Sequence, residues 1–243
     1  MEPIRIAMWS GPRNISTVMM RSFSSRSDTI VTDEPFYSFY LLETGLNHPG
    51  REEIIQSQPT DWDEIVAWLT GPLPGGKTIW YQKHMAHHIL PGHDLSWIKK
   101  MVNCFLIRNP KDVIVSYIRV NKLEKADELG FPQQKWLYDE LRNSADCPIV
   151  IVDSDEILTN PRKALSALCQ SIGIDFDERM LTWPRGIQPT DGVWAKYWYG
   201  NLKESTTFLP RRAEQKTLPD KYQDLYLECL PYYQELYARR LEF

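Results

Sequence analysis

The chain has 243 residues, of which 42% are hydrophobic and 25% charged, as is usual for a globular protein with a substantial core. Its net charge of −4 argues against non-specific binding to nucleic acid or to anionic membranes, so any anion site has to be a local cluster of Arg and Lys. No stretch is apolar enough to span a bilayer or to act as a leader, and none of the four cysteines is arranged as Cys-x-x-Cys. We therefore expect a cytoplasmic protein with reduced cysteines, no membrane partner and no nucleic-acid partner.

Short segments rich in β-branched and aromatic residues alternate along the chain with amphipathic helical segments. The predicted strands are Ile4–Trp9, Thr29–Thr32, Thr78–Lys83, Val102–Ile107 and Pro148–Val152. The predicted helices are Ile15–Arg26, Asp61–Leu69, Pro110–Arg119, Gln133–Asn143, Pro161–Ile172 and Lys221–Arg239, and turn-rich connections are predicted at Pro49–Pro59 and Gly71–Gly76. The alternation predicts a single α/β domain over residues 1–243, with helices around a mostly parallel central sheet.

The loop between the first predicted strand and the first predicted helix has the features of an anion site. Backbone N–H groups and the positive end of the helix dipole converge there, after Gly11. Arg13 adds a positive charge, and Ser16 and Thr17 add hydroxyl donors. The loop lacks the glycines of the dinucleotide fingerprint and the Gly-Lys of the nucleoside triphosphatase loop. It predicts a phosphate or sulfate site, and the alternative is an ordinary helix start capped by Asn14.

A second strand–loop–helix segment carries another cation. Arg108 follows the strand Val102–Ile107, Asn109 is placed to cap a helix that begins with Pro110, and Ser116 lies about two turns into that helix. An Arg at the carboxyl end of a strand can bind a phosphate in bidentate fashion, and a serine hydroxyl can complete the site. The alternative is that Arg108 makes only a local cap or salt bridge.

Together the two segments resemble the sulfotransferases that use 3′-phosphoadenosine 5′-phosphosulfate (PAPS). The segment Pro12–Thr17 is similar to the family's 5′-phosphosulfate loop, which often reads Pro-Arg-Ser-Gly-Thr-Ser, and Arg108–Asp112 followed by Ser116 is similar to its 3′-phosphate element. The resemblance implies a three-layer α/β sandwich of the P-loop-like sulfotransferase fold, PAPS as co-substrate, 3′-phosphoadenosine 5′-phosphate (PAP) as product, and no metal. It assigns donor binding to Gly11, Arg13, Asn14, Ile15, Ser16, Thr17, Arg108 and Ser116. Because Ile15 stands where the family has Gly, we expect the loop backbone to differ.

The catalytic groups are predicted at two further strand ends. In many family members Lys-Thr-His ends the strand that corresponds to Thr78–Lys83, so the resemblance implies that Lys83, with Arg13, stabilises charge on the sulfuryl group. His84 is the first candidate for the base that takes the acceptor's proton, although a surface helix start is an equal alternative. Glu34 is the second candidate, because related enzymes often carry Glu-Pro at this point.

Three further features allow more than one interpretation. His84, His87 and His88 have helical metal-ligand spacing, but no carboxylate or Cys follows nearby, so no metal site is predicted. The aromatic segment Trp183–Phe208 suggests a folded-over loop, and the resemblance implies that this loop covers the nucleotide; core packing is the alternative. Arg211–Arg212 is interpreted as a solvated pair rather than a phosphate ligand.

The sequence therefore predicts an enzyme that transfers a sulfuryl group from PAPS to the hydroxyl or amine of a small-molecule acceptor. One alternative is a nucleotide or small-molecule kinase, which would need the missing P-loop lysine and a Mg²⁺ carboxylate. The other is a non-catalytic phosphonucleotide-binding protein, which would keep Arg13, Arg108 and Ser116 without a working base. Self-association into a homo-oligomer is left open.

Overall fold

The computed structural model describes residues 3–210 and 217–243. Within them, parallel strands form one sheet in the order β2-β3-β1-β4-β5. The strands are β1 (Ile4–Ser10), β2 (Thr29–Asp33), β3 (Ile79–Met85), β4 (Val102–Ile107) and β5 (Ile149–Asp153). The predicted parallel sheet is confirmed, with strand ends that shift by one or two residues.

Helices cover both faces of this sheet. They are α1 (Ser16–Ser24), α2 (Tyr37–Thr44), α3 (Arg51–Ser57), α4 (Trp62–Thr70), α5 (Pro110–Tyr117), α6 (Phe131–Leu141), α7 (Ser154–Thr159), α8 (Pro161–Ser171), α9 (Ala195–Trp198) and α10 (Gln223–Tyr237). Apolar residues of α1, α7 and α8 pack on one face, and those of α4, α6 and α10 pack on the other. The predicted three-layer α/β arrangement is therefore confirmed. None of the described helices is both long and apolar enough to cross a membrane.

The strands are buried on both faces, as expected for a parallel sheet covered by helices. In β1, Ile6 and Met8 face the layer that contains α1, whereas Ala7 and Trp9 face the layer that contains α4. Successive side chains of a strand point to opposite faces, so one apolar run supplies both cores. The same alternation determines which residues at the strand ends can meet.

The predicted cap at Asn109 is confirmed, and the two ends of α8 carry similar local signals. The Asn109 side chain accepts a hydrogen bond from the Lys111 N–H at 3.0 Å, and Asn160 caps α8 in the same way. Gly173 follows α8 with φ at 77°, the left-handed conformation that ends many helices.

The predictions omit the helices α2 and α3, of which α3 is short and α2 is buried along its first five residues. The connection Pro49–Pro59 contains α3, which follows Gly50 at φ 75° and buries only Ile54, so its seven residues carry little helical periodicity. In α2 the first five residues are all buried, which removes the polar face that marks an amphipathic helix.

Strand order determines which loops meet. β1 lies between β3 and β4, and all the strands run in the same direction, so the loops after β1 and β4 emerge side by side. The end of β2 pairs with the end of β3, which places Asp33 opposite Lys83. Ligands of open α/β sheets bind at this carboxyl edge.

Candidate active site

The loop after β1 passes very close to another part of the chain at Gly11. A Cβ added to Gly11 would lie 2.3 Å from the Leu129 carbonyl oxygen, and real Cβ atoms essentially never approach an atom that closely. The φ of Gly11 is not in the left-handed region. Glycine is therefore required here by close packing of two backbones.

The turn of the loop occurs at Arg13, not at Ile15. Arg13 has φ at 57°, which is uncommon for a residue other than glycine and often marks a functional site. Ile15 has φ at −81° and packs against the core beneath α1. The backbone therefore accommodates Ile15 without strain, because the left-handed position lies two residues earlier.

Asn14 joins the first anion loop to the second. Its Nδ2 donates to the Leu106 carbonyl at 2.7 Å, and its Oδ1 accepts from the Ile15 N–H at 3.0 Å. The residue at the start of α1 is Ile15, whose side chain cannot cap, so the alternative of an Asn14 cap on this helix is not what the structure shows. Asn14 instead fixes the spacing between the ends of β1 and β4.

Arg13, Arg108 and Ser116 lie together although they come from two distant segments. The Arg13 Nε donates to the Ser116 Oγ at 3.1 Å, and the Arg108 Nη1 donates to the Arg13 carbonyl at 2.7 Å. Burial lowers the pKa of the Arg13 guanidinium, and the positive charges of Arg108 and Arg119 lower it further. Within residues 3–210 and 217–243, neither Arg13 nor Arg108 forms an ion pair with a carboxylate. The cluster is therefore a concentration of positive charge that an anion would stabilise.

Ser16 and Thr17 begin α1 beside this cluster. The first N–H groups of a helix have no partner within the helix, and they carry the positive end of its dipole. Among the described residues neither hydroxyl makes a hydrogen bond, although Ser16 is only 5% exposed. The first backbone N–H groups of α1 and the hydroxyls of Ser16 and Thr17 are therefore available to bind an anion at the start of this helix.

A second cluster lies at the ends of β2 and β3. The Lys83 Nζ donates to Asp33 Oδ1 at 2.8 Å, to Glu34 Oε1, and to the Tyr199 hydroxyl at 2.9 Å. The Tyr199 hydroxyl donates in turn to Asp33 Oδ2 at 2.7 Å. Lys83 is 1% exposed. An ammonium has three protons to donate, and these three acceptors use all of them inside the protein.

The pKa values of Glu34 and Lys83 are both raised, but for different reasons. Burial raises the pKa of the Glu34 carboxyl, and Asp33 adds to the rise while Lys83 opposes it. Burial lowers the pKa of the Lys83 ammonium, but the Asp33 and Glu34 carboxylates outweigh it, so that pKa lies well above its ordinary value. Glu34 also has φ at 41°, a strained backbone conformation for a residue with a side chain. A carboxyl with a raised pKa beside a fixed cation is suited to proton transfer.

His84 lies away from this cluster. Its ring stacks on Trp9 with centroids 4.4 Å apart, its Nε2 pairs with Gln82 Oε1 at 3.2 Å, and it is 1% exposed. Burial lowers the pKa of His84 to about 3. Lys83 and His84 are neighbours in a strand and so point to opposite faces, whereas Lys-Thr-His places its Lys and His on the same face. This geometry argues against His84 as the base, and it also differs from the surface helix start that was the alternative.

His87 and His88 follow β3 but do not form a metal site with His84. The His88 ring is held between Tyr37 and Tyr40, with centroids 4.7 and 4.6 Å away. No group of three or more His, Cys, Asp or Glu side chains among the described residues is placed to hold a metal ion.

The late aromatic segment Trp183–Phe208 contacts the Lys83 cluster through Tyr199. A bridge between Thr182 and Thr207 closes the base of the predicted Trp183–Phe208 loop, and Trp194 and Tyr199 are buried within it. Sequence reasoning missed Tyr199, since its contact with Lys83 joins residues 116 positions apart and no local motif marks it. The pair Arg211–Arg212 lies outside the described residues.

Comparisons with known proteins agree with this geometry. A family model described as "Sulfotransferase domain" matches residues 4–240. The chain is 35% identical over 232 residues to Branched-chain-amino-acid aminotransferase-like protein 1 of Arabidopsis thaliana, covering 96% of this chain and 41% of that relative. The chain thus spans about two fifths of the length of that curated relative.

Solved structures with similar folds are sulfotransferases. The sulfotransferase domain of the Synechococcus PCC 7002 olefin synthase matches with a TM-score of 0.61 and 18% identity, covering 99% of this chain and 97% of that chain. A sulfotransferase from Alicyclobacillus acidocaldarius matches with a TM-score of 0.57 and 14% identity, covering 100% and 98%. The family match supports sulfotransferase activity, and the neighbours establish the fold. This chain belongs to the sulfotransferase domain family and has its P-loop-like fold.

Proposed function

We propose that the protein transfers a sulfuryl group from PAPS to a hydroxyl or amine of a small-molecule acceptor. The observation that carries the proposal is the meeting of Arg13, Arg108 and Ser116 beside the start of α1. Two strand–loop–helix anion sites from separate parts of the chain are joined there. A nucleotide with phosphates at both its 3′ and 5′ positions would engage both of them.

In this proposal each end of the donor has its own ligands. The first-turn N–H groups of α1, with the hydroxyls of Ser16 and Thr17, bind the 5′-phosphosulfate. Arg108 and Ser116 bind the 3′-phosphate through charge-assisted hydrogen bonds. The Arg13 side chain lies between the two sites, because its backbone turns at φ 57° and its Nε reaches Ser116.

Glu34 is the proposed base. The acceptor O–H or N–H bond breaks, its proton passes to the Glu34 carboxylate, and the acceptor atom forms a bond to sulfur. The bond from sulfur to the bridging oxygen of the phosphosulfate breaks, and its electron pair leaves with PAP. The work of the protein is to position both partners and to stabilise negative charge, by analogy with phosphoryl transfer.

Lys83 takes a different role from the one predicted. Because its three protons already bind Asp33, Glu34 and Tyr199, it has no free donor for a sulfuryl oxygen in this arrangement. We therefore assign stabilisation of the sulfuryl charge to Arg13 and the start of α1. Lys83 acts through Glu34, whose carboxylate it holds in place.

Turnover with PAPS tests the proposal. The protein is incubated with PAPS radiolabelled in sulfur and a panel of small hydroxyl and amine acceptors, and transfer of the label is counted. We expect label to appear in at least one acceptor, and Glu34→Gln to abolish it. If PAP binds but no acceptor in a broad panel is labelled, the non-catalytic alternative is favoured.

A further inference from the structure

Tyr199 belongs to the late aromatic segment but contacts two buried charged side chains at the ends of β2 and β3, as well as Trp194 of its own segment. Its hydroxyl accepts from the Lys83 Nζ at 2.9 Å and from the Trp194 Nε1 at 3.3 Å, and it donates to Asp33 Oδ2 at 2.7 Å. The Lys83 Nζ also lies 5.3 Å from the centre of the Tyr199 ring. Tyr199 therefore holds both members of the Lys83–Asp33 ion pair.

The segment that carries Tyr199 makes two more buried polar contacts, one with the end of β2 and one with α1. The Gly192 N–H donates to Asp33 Oδ2 at 3.0 Å. Asp191 forms an ion pair of 2.7 Å with Arg21 of α1, and both side chains are fully buried. Residues 191–199 are thus held by buried polar contacts to α1 and to the end of β2.

The charges of this region do not balance. Arg21 and Lys83 supply two positive charges, and Asp33, Asp191 and Glu34 supply three negative ones when ionised. Arg21 pairs with Asp191, so Asp33 and Glu34 share a single ammonium. Charges interact strongly in a buried site, so the position of the Lys83 ammonium between these two carboxylates decides how readily Glu34 ionises.

We propose that Tyr199 is a positioning residue for Glu34, and this inference rests on the proposed function. Its hydroxyl accepts a hydrogen bond from the third proton of the Lys83 ammonium and donates one to Asp33 Oδ2. Both contacts stop Lys83 from turning fully to Asp33, so the ammonium stays against Glu34. Without the hydroxyl, Asp33 loses a donor and draws Lys83 away, and the Glu34 carboxylate loses the cation that stabilises it.

Tyr199→Phe tests this inference, with Tyr197→Phe as the matched control. Phenylalanine keeps the ring in place and removes only the hydroxyl. Tyr197 lies two residues earlier, is 40% exposed, and its hydroxyl contacts Glu53 rather than Lys83. The readout is a titration of the Glu34 carboxyl carbon by NMR, with its resonance identified by its loss in Glu34→Gln.

We expect Tyr199→Phe to move the Glu34 titration upward by about one pH unit, because a neighbouring cation has turned away. Tyr197→Phe should leave the titration unchanged. Asp33→Asn should move it downward, because a neighbouring negative charge has been removed. A general loosening of the structure would shift the Glu34 titration in the same direction in Tyr199→Phe and in Asp33→Asn. An unmoved titration in Tyr199→Phe, or shifts of the same sign in Tyr199→Phe and Asp33→Asn, would overturn the inference.

The same samples separate this inference from the proposed function. Calorimetry with PAP on the unmodified protein tests donor binding and does not depend on Tyr199. If the unmodified protein does not bind PAP, the proposed function is rejected, and so is the inference that rests on it. PAP binding together with an unmoved Glu34 titration in a folded Tyr199→Phe rejects the inference alone. If Tyr199→Phe does not fold, the downward shift in Asp33→Asn is required in its place.

Discussion

At the scale of single residues, backbone conformation and strand parity decide which groups can act. Arg13 takes the left-handed conformation, so its side chain turns towards Ser116 and its carbonyl meets Arg108. Lys83 and His84 are neighbours in β3, so only one of them can face the candidate site. The sequence predicts this strand only as far as Lys83, whereas β3 continues through His84, so the parity that weighs against His84 as the base is seen only in the structure.

Arg108→Ala tests the second anion site. We expect PAP affinity to fall by about 2 kcal/mol, or roughly thirty-fold, because a charge-assisted contact to a phosphate is removed. Calorimetry measures the loss, and Lys111→Ala is the control, since Lys111 is an exposed cation three residues further on, in the first turn of α5. Arg108→Lys should recover part of the affinity. An affinity within twofold of the unmodified protein in Arg108→Ala would remove Arg108 from the site.

Glu34 determines the expected pH dependence of turnover. A base works only when it is ionised, so turnover falls as the pH drops through the pKa of Glu34. Because burial and Asp33 raise that pKa, the acid limb should lie above the ordinary carboxyl value of about 4.3. The measurement is kcat against pH for the most active acceptor of the panel.

His84→Phe is the matched variant for this pH profile. Phenylalanine keeps an aromatic ring against Trp9, and the pKa of His84 at about 3 leaves that side chain neutral over the working range. We expect turnover to survive in His84→Phe and to be lost in Glu34→Gln. The opposite pattern would exchange the two roles.

At the scale of elements, the loops after β1 and β4 form one unit. Asn14 joins them through the Leu106 carbonyl, and the Gln134 side chain of α6 donates to the Trp9 and Leu106 carbonyls at 3.1 and 3.0 Å. The side-chain amides of Asn14 and Gln134 therefore donate hydrogen bonds to backbone carbonyls near the ends of β1 and β4. This arrangement fixes the distance between the two anion sites without any glycine-rich loop.

Gly11→Ala tests the close packing of this unit. The added methyl group would meet the Leu129 carbonyl at 2.3 Å, so we expect the free energy of unfolding to fall by about 1–3 kcal/mol. Gly200→Ala is the control, because nothing lies within 4 Å of an added Cβ there and its φ is not in the left-handed region. Denaturant unfolding measures both variants. Equal stabilities would show that the backbone at Gly11 can move apart at little cost.

The sequence predicts those elements that carry a local physical signal. Asn109, Asn160 and Gly173 mark helix ends because their conformations and side-chain contacts act within a few residues. The short helix α3 and the helix α2, whose first five residues are all buried, lack such a signal, so composition and periodicity do not reveal them. Their helical state depends on tertiary packing.

At the scale of the whole molecule, the candidate site is built from contacts that span most of the chain. Motifs predict Arg13, Arg108 and Ser116 as phosphate ligands, because similar residue types in a strand–loop–helix context serve the same chemistry. The contact between Tyr199 and Lys83 has no such motif. It arises only when the late segment folds across the ends of β2 and β3, which the sequence does not specify by any short pattern.

Nucleotide preference tests the central claim most directly. The claim is that two anion sites, joined through Arg13, bind one 3′,5′-bisphosphate nucleotide. Calorimetry compares PAP in the absence of metal with ATP in the presence of Mg²⁺. We predict that PAP binds and that ATP binds far more weakly, because only PAP carries a 3′-phosphate for Arg108 and Ser116. Tight binding of ATP with magnesium and none of PAP would contradict the account and favour a kinase.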